Sequence, residues 1–305
     1  MPRLTRRDFL LSSAAAGLSA ALPAGPVRAE QIRTKRIPAT GEAVPAVGMG
    51  TWITFNVGDD IQARNQRTEV LRNFFEQGGG MIDSSPMYGS SEEVIGYGLD
   101  KLGPQPGLFS ATKVWTPFGD SAREQVSTSE RLWGVKPFDL MQIHNLVSWE
   151  AHMETLLEMK ARGRIRYIGV TTSHGRRHDE LERVMETQPI DFVQLTYNVV
   201  DRWAENRLLP LAQERGLGVI ANRPFRRGQL FDWYQDKPLP DWISEFDATN
   251  WAQFFLKFII SHPALTCAIP ATTRVDHMLE NMGALHGRLP DPEMRQRMAA
   301  YVDSL

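Results

Sequence analysis

From residue 46 to residue 272 the chain alternates short β-rich runs with longer stretches of helical spacing, and nothing else in it restricts the fold so strongly. The runs are AVGMGTW (46–52), GMIDSS (80–85), LFSATKVW (108–115), FDLMQIH (138–144), IRYIGVTT (165–172), DFVQLTYN (191–198), LGVIANRP (217–224) and LTCAIPAT (265–272). Between them, Ser90 with Glu93 and Ser121 with Glu124 have the capping-box spacing that opens a helix. Met153, Leu156 and Leu157, and later Leu181, Val184 and Met185, recur at i, i+3, i+4 and mark single buried faces. Gly103, Gly163 and Gly216 stand where such helices would stop. Strands that alternate with helices and are buried on both sides pair in parallel, and eight of them predict a (β/α)8 TIM barrel. The rival, an open doubly wound sheet, lacks a G-x-G-x-x-G after the first strand. Residues 226–247, RRGQLFDWYQDKPLPDWISEFD, have no clear period and follow the seventh strand. A loop of that length and place either shapes the active site or is an inert surface excursion.

The first 29 residues are of another kind. They open MPRLTRRDFLL, run through SSAAAGLSAALPAG and reach Val27-Arg28-Ala29, which is the order of a signal peptide. The apolar part is shorter than the roughly 20 residues of a membrane span, and Thr5 to Leu10 resembles a twin-arginine export motif. The expectation is a signal peptide over 1–29, a barrel domain over 30–305, a periplasmic location, the twin-arginine translocase as a partner and no stable membrane anchor. An amphipathic or disordered leader is the alternative. The single cysteine, Cys267, allows no internal disulfide, which suits a protein folded before export. A formal charge of -2 without a dense Lys/Arg run argues against nucleic acid. No paired Cys or His at ligand spacing points to a metal.

In a barrel of this kind chemistry sits at the carboxyl ends of the strands. Asp83 ends the second strand, Lys113 lies near the end of the third, His144 ends the fourth, and Tyr88 begins the loop after the second. Each alone could be a turn cap, a surface ring, a solvated cation or a core histidine; together they form one ionisable rim. A phenol with an ordinary pKa of about 10 is a poor proton donor at neutral pH. A neighbouring ammonium would lower that value, and a buried carboxylate would hold the ammonium in place. No side chain supplies a hydride, so a nicotinamide cofactor is the implied donor.

The segment Asp83-Ser84-Ser85-Pro86-Met87-Tyr88-Gly89, with Glu92 and Ile95-Gly96 after it, resembles the Asp-x-Ala-x-x-Tyr-Gly stretch of the aldo-keto reductase family. Ala111-Thr112-Lys113 and Gln142-Ile143-His144-Asn145 are similar to that family too, and the resemblance runs from about Gly48 to about Leu285. It implies an oxidoreductase acting on an aldehyde or ketone, with Tyr88 as general acid, Lys113 and Asp83 as its tuning pair and His144 orienting the carbonyl. It also implies that Asn145, Thr171, Thr172 and Gln194 hold the nicotinamide carboxamide. The segment with Thr272, Arg274, His277, Glu280 and Asn281 would take the adenosine 2'-phosphate and adenine, favouring NADP(H) while leaving NAD(H) possible. Asn222 stands where the family has a stacking aromatic residue, so Arg223 would cover the ring or the cofactor would be held differently. Arg223, Arg226 and Arg227 would contact the pyrophosphate or form a solvated basic turn. Trp52 and Trp115 are candidates for the substrate pocket.

Two rivals remain at this level. A Schiff-base aldolase would use Lys113 as a nucleophile, against which the neighbouring Asp83 argues. A nucleotide-binding sensor on a reductase scaffold would account for Asn222.

Overall fold

The computed structural model describes residues 32–118 and 121–305; the signal peptide expected over 1–29 lies outside the described residues. The first strands, β1 (Thr34–Arg36) and β2 (Ala43–Pro45), make an antiparallel hairpin that the sequence analysis does not anticipate. The next eight are β3 (Met49–Gly50), β4 (Met81–Asp83), β5 (Phe109–Val114), β6 (Phe138–Ile143), β7 (Ile165–Thr171), β8 (Phe192–Thr196), β9 (Gly218–Asn222) and β10 (Cys267–Ala268). They lie in chain order in one eight-stranded parallel sheet. A bridge between Val47 and Ala268, with the Ala268 amide donating to Ala46 O at 2.9 Å, joins the last strand to the segment before β3. The architecture is therefore the expected TIM-type barrel, with each expected strand present and shorter at one or both ends.

The helices are α1 (Ile61–Glu76), α2 (Ser91–Leu102), α3 (Ala122–Trp133), α4 (Trp149–Ala161), α5 (His178–Thr187), α6 (Leu208–Glu214), α7 (Gln229–Tyr234), α8 (Trp251–Ile260), α9 (Val275–Gly283) and α10 (Pro292–Ser304). α2 and α3 begin after Ser90 and Ser121, yet neither serine makes the capping bond that its spacing suggests. Ser90 Oγ instead donates to Asn56 Oδ1 at 3.1 Å and accepts from the Gly58 amide at 2.8 Å, tying the loop after β3 to α2. Side-chain caps are made by Asp60, Asn250 and Asp291.

Period-two alternation divides the strands into two layers. Ile82, Val114, Met141, Ile143, Ile168, Val170, Val193, Leu195 and Val219 join the helices in one apolar cluster. The opposite set, Met81, Phe109, Ala111, Leu140, Tyr167, Phe192, Ile220 and Cys267, joins Ile37 and Val44 of the hairpin segment in a second cluster inside the barrel. Phe109, Tyr167 and Phe192 meet ring to ring, with Phe109 and Tyr167 stacked at 5.9 Å. Tyr167 Oη donates to Glu42 at 2.7 Å and meets Thr40 Oγ1 at 2.8 Å, so the hairpin turn is fastened to this apolar end.

Residues 226–247 are folded into a 3₁₀ turn (Arg226–Gly228), α7 and a second 3₁₀ segment (Asp241–Phe246). Pieces this short show no helical period. Their aromatic rings pack on α8, Phe231 against Phe255 and Tyr234 against Trp251. The buried Lys257 ammonium of α8 donates to the carbonyls of Phe246 (2.7 Å), Asp247 (3.2 Å), His286 (2.7 Å) and Arg288 (3.1 Å). That cation joins the end of this segment to the chain after α9.

Candidate active site

The inward alternation that is apolar at one end of the barrel becomes polar at the other. After Met81 comes Asp83, after Ala111 comes Lys113, after Leu140 comes Gln142, and after Phe192 come Gln194 and Thr196. Register sets Asp83 beside Ala111, Lys113 beside Gln142, Gln142 beside Gly169, and Thr171 beside Gln194. Gly169 leaves room for this layer, since a Cβ there would lie 3.0 Å from Gln142 Cγ and 3.2 Å from Phe192 Cβ.

Asp83 and Lys113 form a buried ion pair of 2.6 Å, and the ammonium also donates to Ser84 O at 2.7 Å. The other carboxylate oxygen, Asp83 Oδ1, accepts from Gln142 Nε2 and Gln194 Nε2, both at 2.9 Å. Asp83 is thus satisfied on both oxygens. Lys113 Nζ lies 5.1 Å from the centre of the Tyr88 ring, which the 3₁₀ turn Pro86–Tyr88 holds above the pair. The Tyr88 and His144 rings meet edge to face at 5.7 Å. All four ionisable residues expected from the sequence therefore come together.

Electrostatics corrects one expectation. Burial raises the Tyr88 phenol above its ordinary value, with Asp83 acting in the same direction, and Lys113 offsets only part of this. Burial lowers the Lys113 ammonium, but Asp83 and Tyr88 raise it by more, so it stays charged. His144 is pushed down to about 3, chiefly by burial and then by Lys113, and is neutral near pH 7. The resting site is a protonated phenol beside a fixed cation and a neutral imidazole.

Above the tetrad opens a cleft of about 590 Å³, lined by Asp83, Tyr88 and His144 together with residues from the loops after β3, β7, β9 and β10. Three buried polar atoms of residues on its wall, Thr54 Oγ1, Thr172 Oγ1 and Arg223 Nε, have no hydrogen-bond partner among the described residues. Buried polar atoms left unpaired beside a cleft call for a ligand or water as partner.

A model described as the aldo/keto reductase family matches residues 46–301. The chain belongs to this family. Among its relatives is a methylglyoxal reductase, YeaE, of Escherichia coli (strain K12), 28% identical over 276 residues that cover 88% of this chain and 96% of the relative. An NADH-specific methylglyoxal reductase of the same organism is 27% identical over 233 residues, covering 64% of this chain and 69% of the relative. A crystal structure of an aldo-keto reductase from Klebsiella pneumoniae in complex with NADPH superposes with a TM-score of 0.71 at 27% identity, covering 90% of this chain and 95% of that one.

In this aldo-keto reductase, Asn145, Thr171, Thr172, Gln194, Asn222, Arg223, Arg227, Thr272, Arg274, His277 and Trp52 all line the cleft. Glu280 is exposed and Asn281 is buried in α9, and neither lines it. Trp115, one residue past β5, is also off the lining and 45% exposed. Asn222 faces inward, accepting from Thr196 Oγ1 at 2.7 Å and donating to Thr172 O at 2.8 Å. It extends the polar layer and offers no ring to stack. Arg227 does not sit as a free cation but lies 4.3 Å over the Trp52 ring. Arg274 is paired with the neighbouring carboxylate of Asp276, which that pairing pushes down to about 2.

Sequence reasoning missed Gln142, Ser85, His174 and Phe231. Gln142 was within reach, since it stands two residues before His144 on the same inward alternation. His174 comes from a loop and Phe231 from the short helix α7, where no period announces direction. Lys113 is absent from the lining, with Nζ taken up by Asp83 and Ser84 O. A Schiff-base role would need that nitrogen neutral and open to the cleft. Among the described residues no cluster of three or more His, Cys, Asp or Glu could hold a metal ion, and no helix is long and apolar enough to cross a membrane.

Proposed function

We propose that this aldo-keto reductase reduces the carbonyl of a small aldehyde or ketone with NADPH as hydride donor. The carrying observation is the Tyr88 phenol set over the buried Lys113–Asp83 pair at the floor of a cleft whose lining residues include three with unsatisfied polar atoms. The cofactor would supply the hydride. Thr171, Thr172, Asn145 and Gln194, which line the cleft, would hold its carboxamide end, and Thr272 and Arg274, which line it too, its phosphate end. Tyr88 gives its proton to the carbonyl oxygen as negative charge develops there, and the Lys113 ammonium stabilises the phenolate left behind. The neutral His144 points the carbonyl oxygen at that proton. Trp52, Ile53, Met87 and Phe231 give the cleft apolar walls. Two relatives carry methylglyoxal reduction in their names, so methylglyoxal belongs in the first aldehyde panel. The test is a titration with NADPH and NADH followed by that panel; no binding of either nucleotide would sink the reading.

Cofactor preference turns on Arg274. To take a 2'-phosphate it must leave Asp276, and that carboxylate would repel the phosphate. Asp276→Asn should therefore tighten NADPH binding by about fivefold and leave NADH nearly unchanged, since charge-assisted bonds to phosphate are stronger than an exposed ion pair. Equal changes for the two nucleotides would show that Arg274 does not read the phosphate.

We also propose that the protein is exported by the twin-arginine route into the periplasm. Arg6-Arg7 within TRRDFL, the short apolar stretch and the single cysteine support this. Folding around its nucleotide before leaving would let it carry the cofactor out. Arg6→Lys with Arg7→Lys should keep the unprocessed chain in the cytoplasm; unaltered processing in that variant would refute the route.

A further inference from the structure

Where the family's stretch has alanine, this chain has Ser85, a fully buried hydroxyl between the proton donor and the histidine. Its Oγ accepts from the Met87 amide at 3.2 Å, and its carbonyl accepts from the Tyr88 amide at 2.9 Å, so it starts the 3₁₀ turn that carries Tyr88. The same Oγ lies 2.9 Å from His144 Nδ1. A serine hydroxyl has one proton to give and two lone pairs. With the Met87 amide on one lone pair, the hydroxyl proton has a single acceptor within reach among the described residues, His144 Nδ1. Were the imidazole to donate instead, Oγ would accept twice and a buried O–H would be left without an acceptor, which is costly.

We infer that Ser85 is a positioning residue which donates to His144 Nδ1 and so fixes the imidazole as the tautomer protonated on Nε2. Nε2 has no partner among the described residues, is absent from the buried unpaired atoms and belongs to a ring that lines the cleft. An N–H there is a donor aimed at a carbonyl oxygen; the other tautomer would present a lone pair and repel it. One serine thus sets both the turn that holds the Tyr88 hydroxyl and the direction of the second hydrogen bond to the same oxygen. The neutrality of His144 near pH 7 is consistent with this, because a doubly protonated ring could not accept from Ser85.

The kinetic consequence rests on the reductase reading, whereas the tautomer does not. Nitrogen-15 correlation spectra of the protein without nucleotide or carbonyl, with His144 assigned by comparison with His144→Asn, read the two ring nitrogens directly. Wild type should show a protonated Nε2 and a bare Nδ1, and Ser85→Ala should show a mixture of tautomers. In the same variant kcat/KM for a carbonyl should fall about tenfold, the worth of one net hydrogen bond, while NADPH affinity stays within about twofold. A wild-type ring protonated on Nδ1, or a Ser85→Ala spectrum identical to wild type, overturns the inference; the wild-type spectrum decides even if the variant does not fold. Spectra as expected without carbonyl turnover would remove the reductase reading and leave the tautomer assignment standing.

Discussion

Tyr88→Phe should lower kcat/KM for carbonyl reduction by a factor of about 10²–10⁴, the range for removal of a general acid, with NADPH affinity unchanged. The substitution removes one hydroxyl and keeps the ring that meets His144 edge to face at 5.7 Å, so the cleft keeps its shape. Burial holds the phenol above its ordinary pKa, and it therefore carries its proton throughout the neutral range. What makes it useful as an acid is the product side of the transfer: the phenolate would form beside an ammonium that Asp83 keeps charged. Without the hydroxyl, water would have to protonate the oxygen in a cleft with apolar walls. Stopped-flow nucleotide binding together with steady-state turnover separates the two effects. Activity within about tenfold of wild type would remove Tyr88 from the acid's role.

Lys113→Met should cost about 3–5 kcal/mol of folding stability, the usual result of taking one partner from a buried ion pair, and should also abolish turnover. Lys113 is 1% and Asp83 2% exposed, so water cannot replace the ammonium. The carboxylate would keep only the Gln142 and Gln194 amides on its second oxygen, too little to offset a full buried charge. Total stabilities are commonly about 5–15 kcal/mol, so the variant should be near the limit of folding. Asp83→Asn added to Lys113→Met removes the charge and should restore at least half of the lost stability without restoring activity. Urea unfolding of the single and double variants measures this. A double variant no more stable than Lys113→Met would mean that packing of the lysine stem, and not its charge, holds the site together.

The tetrad was legible because its members stand at or just after strand ends, and strand ends are marked locally. In FDLMQIH the alternation that sends Leu140 into the barrel also sends Gln142 there and carries His144 to the rim. The residues that hold a cofactor are harder to read. Thr171, Thr172 and Gln194 lie on or beside strands and reach the cleft as expected, whereas Trp115 follows a strand by one residue and does not line it. Residues 226–247 hid their short helices because two turns are too few for a period to appear, and the contacts that order them come from α8.

The eight strands, their parallel alternation with helices and the gathering of Asp83, Tyr88, Lys113 and His144 at one rim were all determined by the sequence alone. Each follows from alternation and βα connectivity, which act over a few residues at a time. Only the tertiary structure decided that burial outweighs Lys113 in raising the Tyr88 phenol, that Asn222 turns inward to Thr196 and Thr172, that Asp276 occupies Arg274, and that Ser85 faces His144. The energy of a charge or a hydroxyl depends on every group within several ångströms, and in a barrel those groups come from strands and loops far apart along the chain.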